Sequence, residues 1–325
     1  MAVYTHVEKN ALVAFLKQYN IGTLTDFRGI QQGVENTNYH LHTSHGRFIL
    51  TLFERRTDKS DLPFFMEAMA HFNAKGIAAP EPIKNRHGET IGPLADRPAV
   101  IISFLDGNPN MIPDAQACRM MGEMVAELHI AANGFERTRP NPLSFHGWQE
   151  LAEACAEKGD VYRPGLNDII ADELSLLAQS RLDTDHVTND FALPRGLVHT
   201  DLFPDNVFFK GVQISGIIDY YFACTDFFAY DLAVTLNAWC FQNGWQHQNA
   251  QALIEGYQSK RPLNVEEETA LPLFLRGAAL RFLLTRLYDW IHQIDGAVVK
   301  VKDPLDYLET LTYHRTNTTT FEDII

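Results

Sequence analysis

The chain has 325 residues, enough for two lobes or domains that each bury their own core. With 46% hydrophobic and 21% charged residues, its composition is that of a globular protein and argues against disorder as the main state. The formal net charge of −14 argues against nucleic acid or an anionic membrane as the main partner, because both attract clustered cations. That charge permits a cationic substrate without requiring one.

The first 19 residues carry three charged side chains and have the features of neither a signal peptide nor an anchor. No run approaches the roughly 18 apolar residues of a membrane-spanning helix. The cysteines are scattered and form no paired metal-ligand set, so we interpret them as buried thiols in a reducing compartment. These features predict a cytoplasmic protein. They do not decide the oligomeric state, for which a homodimer is one candidate.

The first third of the chain has the pattern of a small sheet with one long helix. Strands are predicted where apolar and polar residues alternate, and helices where apolar residues recur every three or four positions. The predicted elements are a short helix at 7–19, strands at 36–41 and 47–53, a helix at 62–75, and strands at 90–94 and 99–104. Gly76 is the expected stop of the long helix.

Beyond residue 103 the pattern becomes mostly helical, after a predicted hinge at about 103–107. The predicted elements are helices at 114–132 and 165–179, strands at 197–198, 207–209 and 214–218, and helices at 230–241, 251–257 and 266–292. Asp114 is a candidate N-cap. The segment 266–292 is apolar nearly all round, which indicates a buried helix, continuous or broken. We expect the last residues, 316–325, to be weakly ordered.

The most informative segment is 199–206, with the sequence His-Thr-Asp-Leu-Phe-Pro-Asp-Asn, followed by Gly-Ile-Ile-Asp at 216–219. It sets a carboxylate and a carboxamide on one loop and a second carboxylate after an apolar strand. Phosphoryl transfer from ATP uses this set, as in the catalytic loop and metal-binding segment of protein kinases. We predict Asp201 to be the base that takes the proton of the attacking hydroxyl, and Asn206 and Asp219 to bind Mg²⁺. A single loop aspartate is usually a turn or a cap, but the full combination favours catalysis.

Two further residues are assigned to support of this loop. His199 lies two positions before the base and is predicted to hold the loop by hydrogen bonding rather than to exchange protons. Asp231 precedes a predicted helix and could cap it, but the corresponding aspartate of the kinase fold braces the catalytic loop. We therefore predict a structural role for both side chains.

The segment 29–38 is a candidate phosphate-binding loop. Its two glycines and small polar residues could fold over a triphosphate and offer backbone N–H groups, although a plain hairpin is at least as consistent with the pattern. Its position before the strand at 47–53, where a kinase has its phosphate-covering loop, favours the first interpretation. The candidate nucleotide ligands in it are Gly33, Asn36, Thr37 and Asn38.

The strand that follows contains a discrepancy. Thr51 stands where the kinase fold has the lysine that grips the ATP phosphates, and it shares a strand face with Ile49, which would line the adenine site. Loss of the lysine together with its glutamate partner is coherent, because a buried glutamate without its lysine would be costly. Ile49 and Thr51, with Ser103 and Leu105 at the hinge, complete the predicted nucleotide site.

These motifs resemble the aminoglycoside phosphotransferase and choline kinase group, which has the protein-kinase-like fold. More narrowly, the segments 32–39, 48–54, 216–224, 230–233, 237–240 and 276–282 resemble the bacterial homoserine kinases of that group. The resemblance runs through about residues 5 to 315 and includes the threonine at position 51. It implies a two-lobed α+β fold. A small N-terminal β-sheet lobe with one main helix, residues 1–103, would bind the nucleotide, and a larger, mostly helical lobe, residues 104–325, would carry catalysis and the substrate.

The resemblance also implies an activity, namely ATP-dependent, Mg²⁺-assisted, in-line phosphorylation of the L-homoserine side-chain hydroxyl on the way to threonine. Such a substrate needs a cation for its carboxylate, and Arg281 in an apolar helix is the candidate, with an internal salt bridge as an equal alternative. Tyr221, Asp226 and Asn237 are further candidate pocket residues.

Two alternatives remain open. One is a related kinase acting on an aminoglycoside, choline or methylthioribose. The other is a non-catalytic nucleotide-binding protein, which the absence of the phosphate-gripping lysine would suit. Retention of Asp201, Asn206 and Asp219 together argues against the second alternative.

Overall fold

The computed structural model describes residues 5–30, 36–54, 58–180, 193–293 and 301–325. Contacts within the chain divide it into two compact units. The first unit contains Met1–Gly107, Ser215–Ile218 and Asp295–Lys300, and the second contains Asn108–Ile214, Asp219–Ile294 and Val301–Ile325.

The first unit is built on a five-stranded antiparallel sheet with strand order β1-β2-β3-β5-β4. Its elements are helix α1 (Lys9–Leu16), strands β1 (Leu24–Gly29), β2 (Thr37–Thr43) and β3 (Gly46–Leu52), helix α2 (Leu62–Ala74), and strands β4 (Ile91–Leu94) and β5 (Arg97–Ser103). Leu12 of α1 is fully buried in one cluster with Leu41, Leu50 and Ile101 of the sheet. The alternation of apolar residues in β2 and β3 thus supplies the face on which α1 packs.

Helix α2 ends where the sequence predicts. The N–H of Gly76 donates to the carbonyl of Asn73, and that of Ile77 donates to the carbonyl of Phe72. Gly76 has φ +85°, a left-handed conformation that costs a residue without a Cβ little. The glycine therefore terminates the helix and turns the chain towards β4.

The second unit is mostly helical. Its helices are α3 (Ala115–Ala131), α4 (Phe145–Tyr162), α5 (Leu166–Gln179), α6 (Phe228–Cys240), α7 (His247–Lys260), α8 (Val265–Ile291) and α9 (Pro304–Asn317). Its short strands are β6 (Asn108–Pro109), β7 (Arg195–Val198), β8 (Val207–Lys210), β9 (Gln213–Ile217, whose last residues belong to the first unit) and β10 (Cys224–Phe227). Strands β7 and β10 pair antiparallel, and β8 lies between β6 and β9. The contrast between a sheet-based and a helical unit confirms the predicted α+β class.

Helices α3 and α7 approach each other closely at two glycines. A Cβ on Gly122 would lie 1.9 Å from the carbonyl oxygen of Leu253, and one on Gly256 would lie 2.0 Å from that of Arg119. A side chain at either position would push the two backbones apart. The glycines therefore set the spacing of the helix pair that carries His129 and Tyr257.

Several predicted elements are confirmed and some are corrected. Asp114 caps α3 by accepting from the N–H of Ala117 at 2.8 Å, and α8 is one continuous helix despite Pro272. The prediction gave no helix at α4 or α9. The prediction that residues 316–325 are weakly ordered was wrong, because Ile324 is fully buried and its carbonyl accepts from the Trp245 indole at 2.9 Å. Among the described helices, none has the length and apolar character needed to cross a membrane.

Candidate active site

The predicted base and the predicted metal-binding carboxamide lie together on the loop between β7 and β8. A short 3-10 turn, Pro204–Asn206, folds the loop back on itself. The side-chain amide of Asn206 donates to the carbonyl oxygen of Asp201 at 2.8 Å and to its carboxylate Oδ2 at 3.0 Å. Because the amide nitrogen faces Asp201, the other end of the carboxamide, its oxygen, is directed away from that carboxylate.

The electrostatic surroundings of Asp201 suit a proton acceptor. Burial raises the pKa of Asp201 to about 6, while the positive charges of Arg281 and Lys302 act in the opposite direction. A carboxyl with this pKa is mostly ionised at neutral pH and still binds a proton more tightly than an ordinary aspartate. General base catalysis is favoured when the pKa of the base lies near the working pH.

A buried carboxylate holds the start of the catalytic loop. Asp231, in the first turn of α6, is fully buried. It accepts from the backbone N–H of Thr200 at 2.7 Å, from that of His199 at 3.3 Å and from His129 Nε2 at 3.0 Å. The His199 ring in turn accepts from the N–H of Asp201 at 3.2 Å. These contacts are what the loop-support prediction requires of His199 and Asp231, and they bring in His129, which the prediction did not name.

Thr200 is the most constrained residue of the loop. It has φ +61°, a left-handed conformation that is unfavourable for a β-branched residue. Besides its N–H bond to Asp231, its hydroxyl donates to the carbonyl of Phe222 at 3.1 Å, and its own carbonyl accepts from Arg281 at 2.6 Å. Three separate contacts hold this conformation, which sets the direction of the adjoining Asp201.

The second predicted metal ligand follows strand β9. Asp219 is half-buried and has φ +67° and ψ +57°, so it also adopts a left-handed conformation that few non-glycine residues occupy. Gly216 precedes it in β9, and a Cβ on Gly216 would lie 3.0 Å from the side chain of Leu105. The close packing explains the glycine, and strained residues of this kind cluster at functional sites.

The available donors fit Mg²⁺. Asn206 and Asp219 offer oxygen atoms, which this hard cation prefers, and Mg²⁺ usually retains phosphate oxygens and water in its shell. Within the described ranges there is no group of three or more His, Cys, Asp or Glu side chains that would form an all-protein cage. Binding of Mg²⁺ by Asn206 and Asp219 stays a prediction.

In the first unit the predicted nucleotide residues lie at the start of β2 and just before it, on β3, and at the end of β5 and just after it, while Gly33 lies outside the described residues. Thr51 is buried, and its hydroxyl donates to Asn38 Oδ1 at 2.7 Å. Asn36 Oδ1 accepts from the N–H of Glu54 at 3.4 Å, and the hydroxyl of Thr37 donates to the Glu54 carboxylate at 2.8 Å. These bonds tie the start of β2 and the residue before it to β3 and to Glu54 just beyond it.

The remaining nucleotide candidates are half-buried: Ile49, Ser103 and Leu105. Ser103 Oγ accepts from the N–H of Glu81 at 2.8 Å. Ile49 is paired with Ile102 across β3 and β5. Their binding of nucleotide stays a prediction.

The four predicted substrate residues differ in exposure. Asp226 and Asn237 are buried and bonded within the protein, Asp226 accepting from Asn141 at 2.7 Å and Asn237 accepting from His314 at 2.8 Å. Arg281 is 1% exposed and holds the Thr200 carbonyl, so its contacts favour positioning of the loop over direct substrate binding. Tyr221 is half-buried.

Lys302, which the sequence analysis missed, lies beside the catalytic loop. Its ammonium group is 3.3 Å from Asp205 Oδ2 and 5.0 Å from the centre of the Phe203 ring. A single lysine far from the motif gives no signal in a single sequence, because only the fold brings it to the loop.

Residues 26–263 match the phosphotransferase enzyme family. The chain is 49% identical to the homoserine kinases of Rhizobium etli and Agrobacterium fabrum, covering 97% of this chain and 96% of each relative. Among solved structures, an amicoumacin kinase in complex with AMP-PNP and Ca²⁺ aligns with a TM-score of 0.72 at 14% identity, covering 98% of this chain and 97% of the other. A spectinomycin phosphotransferase in complex with ADP aligns with a TM-score of 0.66 at 15% identity and the same coverage. The structures confirm the predicted protein-kinase-like fold, and the sequence matches, which span almost the whole chain, show that it belongs to the homoserine kinase family of phosphotransferases.

Proposed function

We propose that the protein transfers the γ-phosphoryl group of ATP to the side-chain hydroxyl of L-homoserine and so forms O-phospho-L-homoserine. The observation that carries this proposal is the Asp201–Asn206 pair, held on a braced loop, in a chain 49% identical to homoserine kinases. A soluble amino-acid substrate agrees with a cytoplasmic location and requires neither a nucleic acid nor a membrane partner. A homodimer remains part of the proposal, to be tested by the mass in solution.

In this mechanism Asp201 accepts a hydrogen bond from the substrate hydroxyl, orients its oxygen and takes its proton as the phosphoryl group arrives. Asn206 keeps the Asp201 carboxylate in place through its 3.0 Å bond. We propose Asn206 and Asp219 as the Mg²⁺ ligands. When bound there, the ion would neutralise developing charge on the phosphates. The three hydrogen bonds of Thr200 fix the backbone next to Asp201, which lowers the entropy cost of bringing the base into the reactive geometry.

We assign nucleotide binding in the first unit to Ile49, Ser103 and Leu105 at the adenine and to Gly33, which lies outside the described residues, at the phosphates. Asn36, Thr37 and Asn38 would contribute from the start of β2 and the residue before it, where bonds to Glu54 and Thr51 hold them. Thr51 would line the site without contributing charge. Backbone N–H groups and the metal would then carry the phosphate contacts that a lysine makes in other kinases.

On the substrate side we assign Tyr221 to the pocket surface, since it is half-buried. Asp226 and Asn237 would shape the pocket from behind, because both are buried and bonded inside the protein. Arg281 would hold the catalytic loop through the Thr200 carbonyl.

The direct test is ADP release from Mg·ATP with a panel of hydroxyl acceptors: L-homoserine, choline, methylthioribose and an aminoglycoside. We expect turnover with L-homoserine to exceed that with each other acceptor by at least two orders of magnitude in kcat/KM, because a pocket built for one set of charges leaves buried groups unpaired with another. Absence of turnover with homoserine, together with turnover of another acceptor, would refute the substrate assignment but not the assignment as a kinase.

A second test concerns the metal. Asp219→Ala removes one of two proposed oxygen ligands, so titration calorimetry should show weaker ATP binding in the presence of Mg²⁺ and little change in its absence. Unchanged affinity with Mg²⁺ would contradict the assignment.

A further inference from the structure

The ion pair between Lys302 and Asp205 lies within the catalytic loop region and has no role in the mechanism above. Asp205 is next to Asn206 in the 3-10 turn, and the two charged groups are 3.3 Å apart. Their side chains are 53% and 44% exposed, so a small molecule can reach both. An ion pair of this exposure stabilises a fold by only about 0–1 kcal/mol. Stability therefore gives little reason to place it beside the base.

The position of Lys302 is nevertheless well defined. It directly precedes Asp303, the N-cap of α9, whose carboxylate accepts from the N–H of Leu305 at 2.9 Å and from the Tyr162 hydroxyl. Arg286 of α8 donates to the Asp303 carbonyl at 2.9 Å. These contacts anchor the backbone next to Lys302 to α4 and α8, and its ammonium group is held over Phe203.

An aromatic cluster forms the surface under the ion pair. Phe203 packs against Phe282 at 4.9 Å and Tyr307 at 6.2 Å between ring centres, and Phe282 and Tyr307 are 5.0 Å apart. Phe282 and Tyr307 are buried, whereas Phe203 is half-buried and keeps part of its ring accessible. The cluster offers an apolar surface for methylene groups, with the opposite charges of Lys302 and Asp205 at its edge.

Among the residues that the structure describes, three cations contact this cluster, and they differ in what they can bind. Arg281 lies over Phe282, is 1% exposed and is bonded to the Thr200 carbonyl. Arg286 lies over Tyr307, its side chain is 13% exposed and it is paired with Asp306. The 53% exposure of Lys302 makes it the most accessible of the three.

We infer that Lys302 and Asp205 bind the charged end of an α-amino-acid substrate, Lys302 its carboxylate and Asp205 its ammonium group, with the side-chain methylenes over Phe203. A zwitterionic amino acid carries both charges on one carbon atom, which matches a close and accessible pair of opposite charges. Each contact would be a charge-assisted hydrogen bond. The inference rests on the proposed function and adds its specificity determinants.

The experiment compares substrates that lack one charge. Steady-state kinetics are measured with L-homoserine, L-homoserinamide (no carboxylate) and 4-hydroxybutyrate (no ammonium) for the wild type, Lys302→Met, Lys302→Arg and Asp205→Asn. We expect Lys302→Met to raise the KM for homoserine by about 10- to 100-fold and to abolish the preference for homoserine over homoserinamide. The KM for ATP should stay within about twofold, and Lys302→Arg should recover part of the preference.

Asp205→Asn should abolish the preference for homoserine over 4-hydroxybutyrate by the same reasoning. The matched control is Lys260→Met, which breaks the Lys260–Glu127 pair of similar exposure (43% and 40%) on α7 and α3. It should leave both substrate preferences unchanged.

The outcomes separate the inference from the function. An active homoserine kinase in which Lys302→Met keeps the wild-type preference for homoserine, or loses kcat equally with homoserine and homoserinamide, overturns the inference alone. A wild-type protein that does not phosphorylate homoserine overturns both. The zwitterion site is supported if Lys302→Met loses the preference over homoserinamide, Asp205→Asn loses the preference over 4-hydroxybutyrate, and Lys260→Met keeps both.

Discussion

The bracing of the catalytic loop by Asp231 makes a quantitative prediction. Asp231→Ala would remove the acceptor of three buried hydrogen bonds, from His199 N, Thr200 N and His129 Nε2. Each buried donor left without a partner costs about 1–3 kcal/mol. Partial relaxation reduces the sum towards the about 3–5 kcal/mol typical of breaking a buried charged network. We therefore expect the free energy of unfolding to fall by about 3–5 kcal/mol and kcat to fall with it.

The isosteric variant Asp231→Asn should do less harm. Its oxygen can still accept from Thr200 N, and its amide can donate to His129 Nε2 if the proton of that ring moves to Nδ1. Only His199 N then loses its partner, so we expect a loss of about 1–3 kcal/mol. A variant that loses as much as the alanine variant would mean that the charge, rather than the hydrogen bonds, holds the loop.

The wild type and the Asp231→Asn variant should also differ in how their stability depends on pH. Burial alone would raise the pKa of Asp231, but the hydrogen bonds from His129 and from the Thr200 N–H outweigh it and lower the pKa. A carboxyl with a depressed pKa adds stability above its unfolded value, and the stability is lost as the pH falls through the folded value. The wild type should therefore lose more stability than Asp231→Asn when the pH is lowered below about 4.

Urea unfolding at pH 7, followed by tryptophan fluorescence and by circular dichroism, measures these losses. The control is Asp323→Asn, since Asp323 also accepts three hydrogen bonds, from Thr319 N, Thr319 Oγ1 and Thr320 N, but lies near the chain end where water can replace them. A change in Asp231→Ala of less than about 0.5 kcal/mol, the size of an ordinary surface substitution, would refute the bracing argument.

Three further predictions follow from the same structure. Asp201→Asn should lower kcat by about 10²–10⁴-fold with an unchanged urea midpoint, and wild-type activity would remove Asp201 from the mechanism. Burial raises the pKa of Asp226 to about 6, so the stability that its neutral form contributes is lost as the pH rises from about 4, the unfolded value, through about 6. Relative to the wild type, Asp226→Asn should gain up to about 3 kcal/mol between pH 4 and pH 8, and a constant difference would contradict the assignment. Gly122→Ala should cost about 1–3 kcal/mol by forcing α3 away from α7. The comparison variant is Gly134→Ala, where a Cβ has open space but φ is +86°, so that its cost measures backbone strain without a clash.

Site residues could be predicted from the sequence where they are close together along the chain. Asp201 and Asn206 are five residues apart in a turn-forming segment, and the structure joins them by a hydrogen bond. The partner of Asp231 could not be predicted in this way, because His129 is 102 positions away and a single histidine in an apolar helix looks like any buried histidine. Lys302 was missed for the same reason, since it reaches Asp205 from 97 positions away. Such partners are set by how helices pack, which one sequence does not reveal.

The fold was predictable where hydrophobic periodicity is strong. The sheet of the first unit and the buried helix α8 were found, while α4 was missed because many of its residues are charged or small and it contains Gly147 and Gly159. That α4 is a helix depends on tertiary contacts, with Phe145 and Trp148 among its buried residues. Tertiary burial of a few large side chains stabilised a segment whose local pattern is weak.

The distribution of cations bears on which substrate fits the site. The chain has a net charge of −14, yet the charges that lower the pKa of Asp201 are the cations Arg281 and Lys302. Arg281 is buried and fixed on the loop, so it acts as a permanent positive charge, whereas Lys302 is accessible. Asp205 lies against Lys302 and offsets its charge, so the surroundings of the base hold charges of both signs. A zwitterionic amino acid, which carries one charge of each sign, matches such surroundings better than a polycation does.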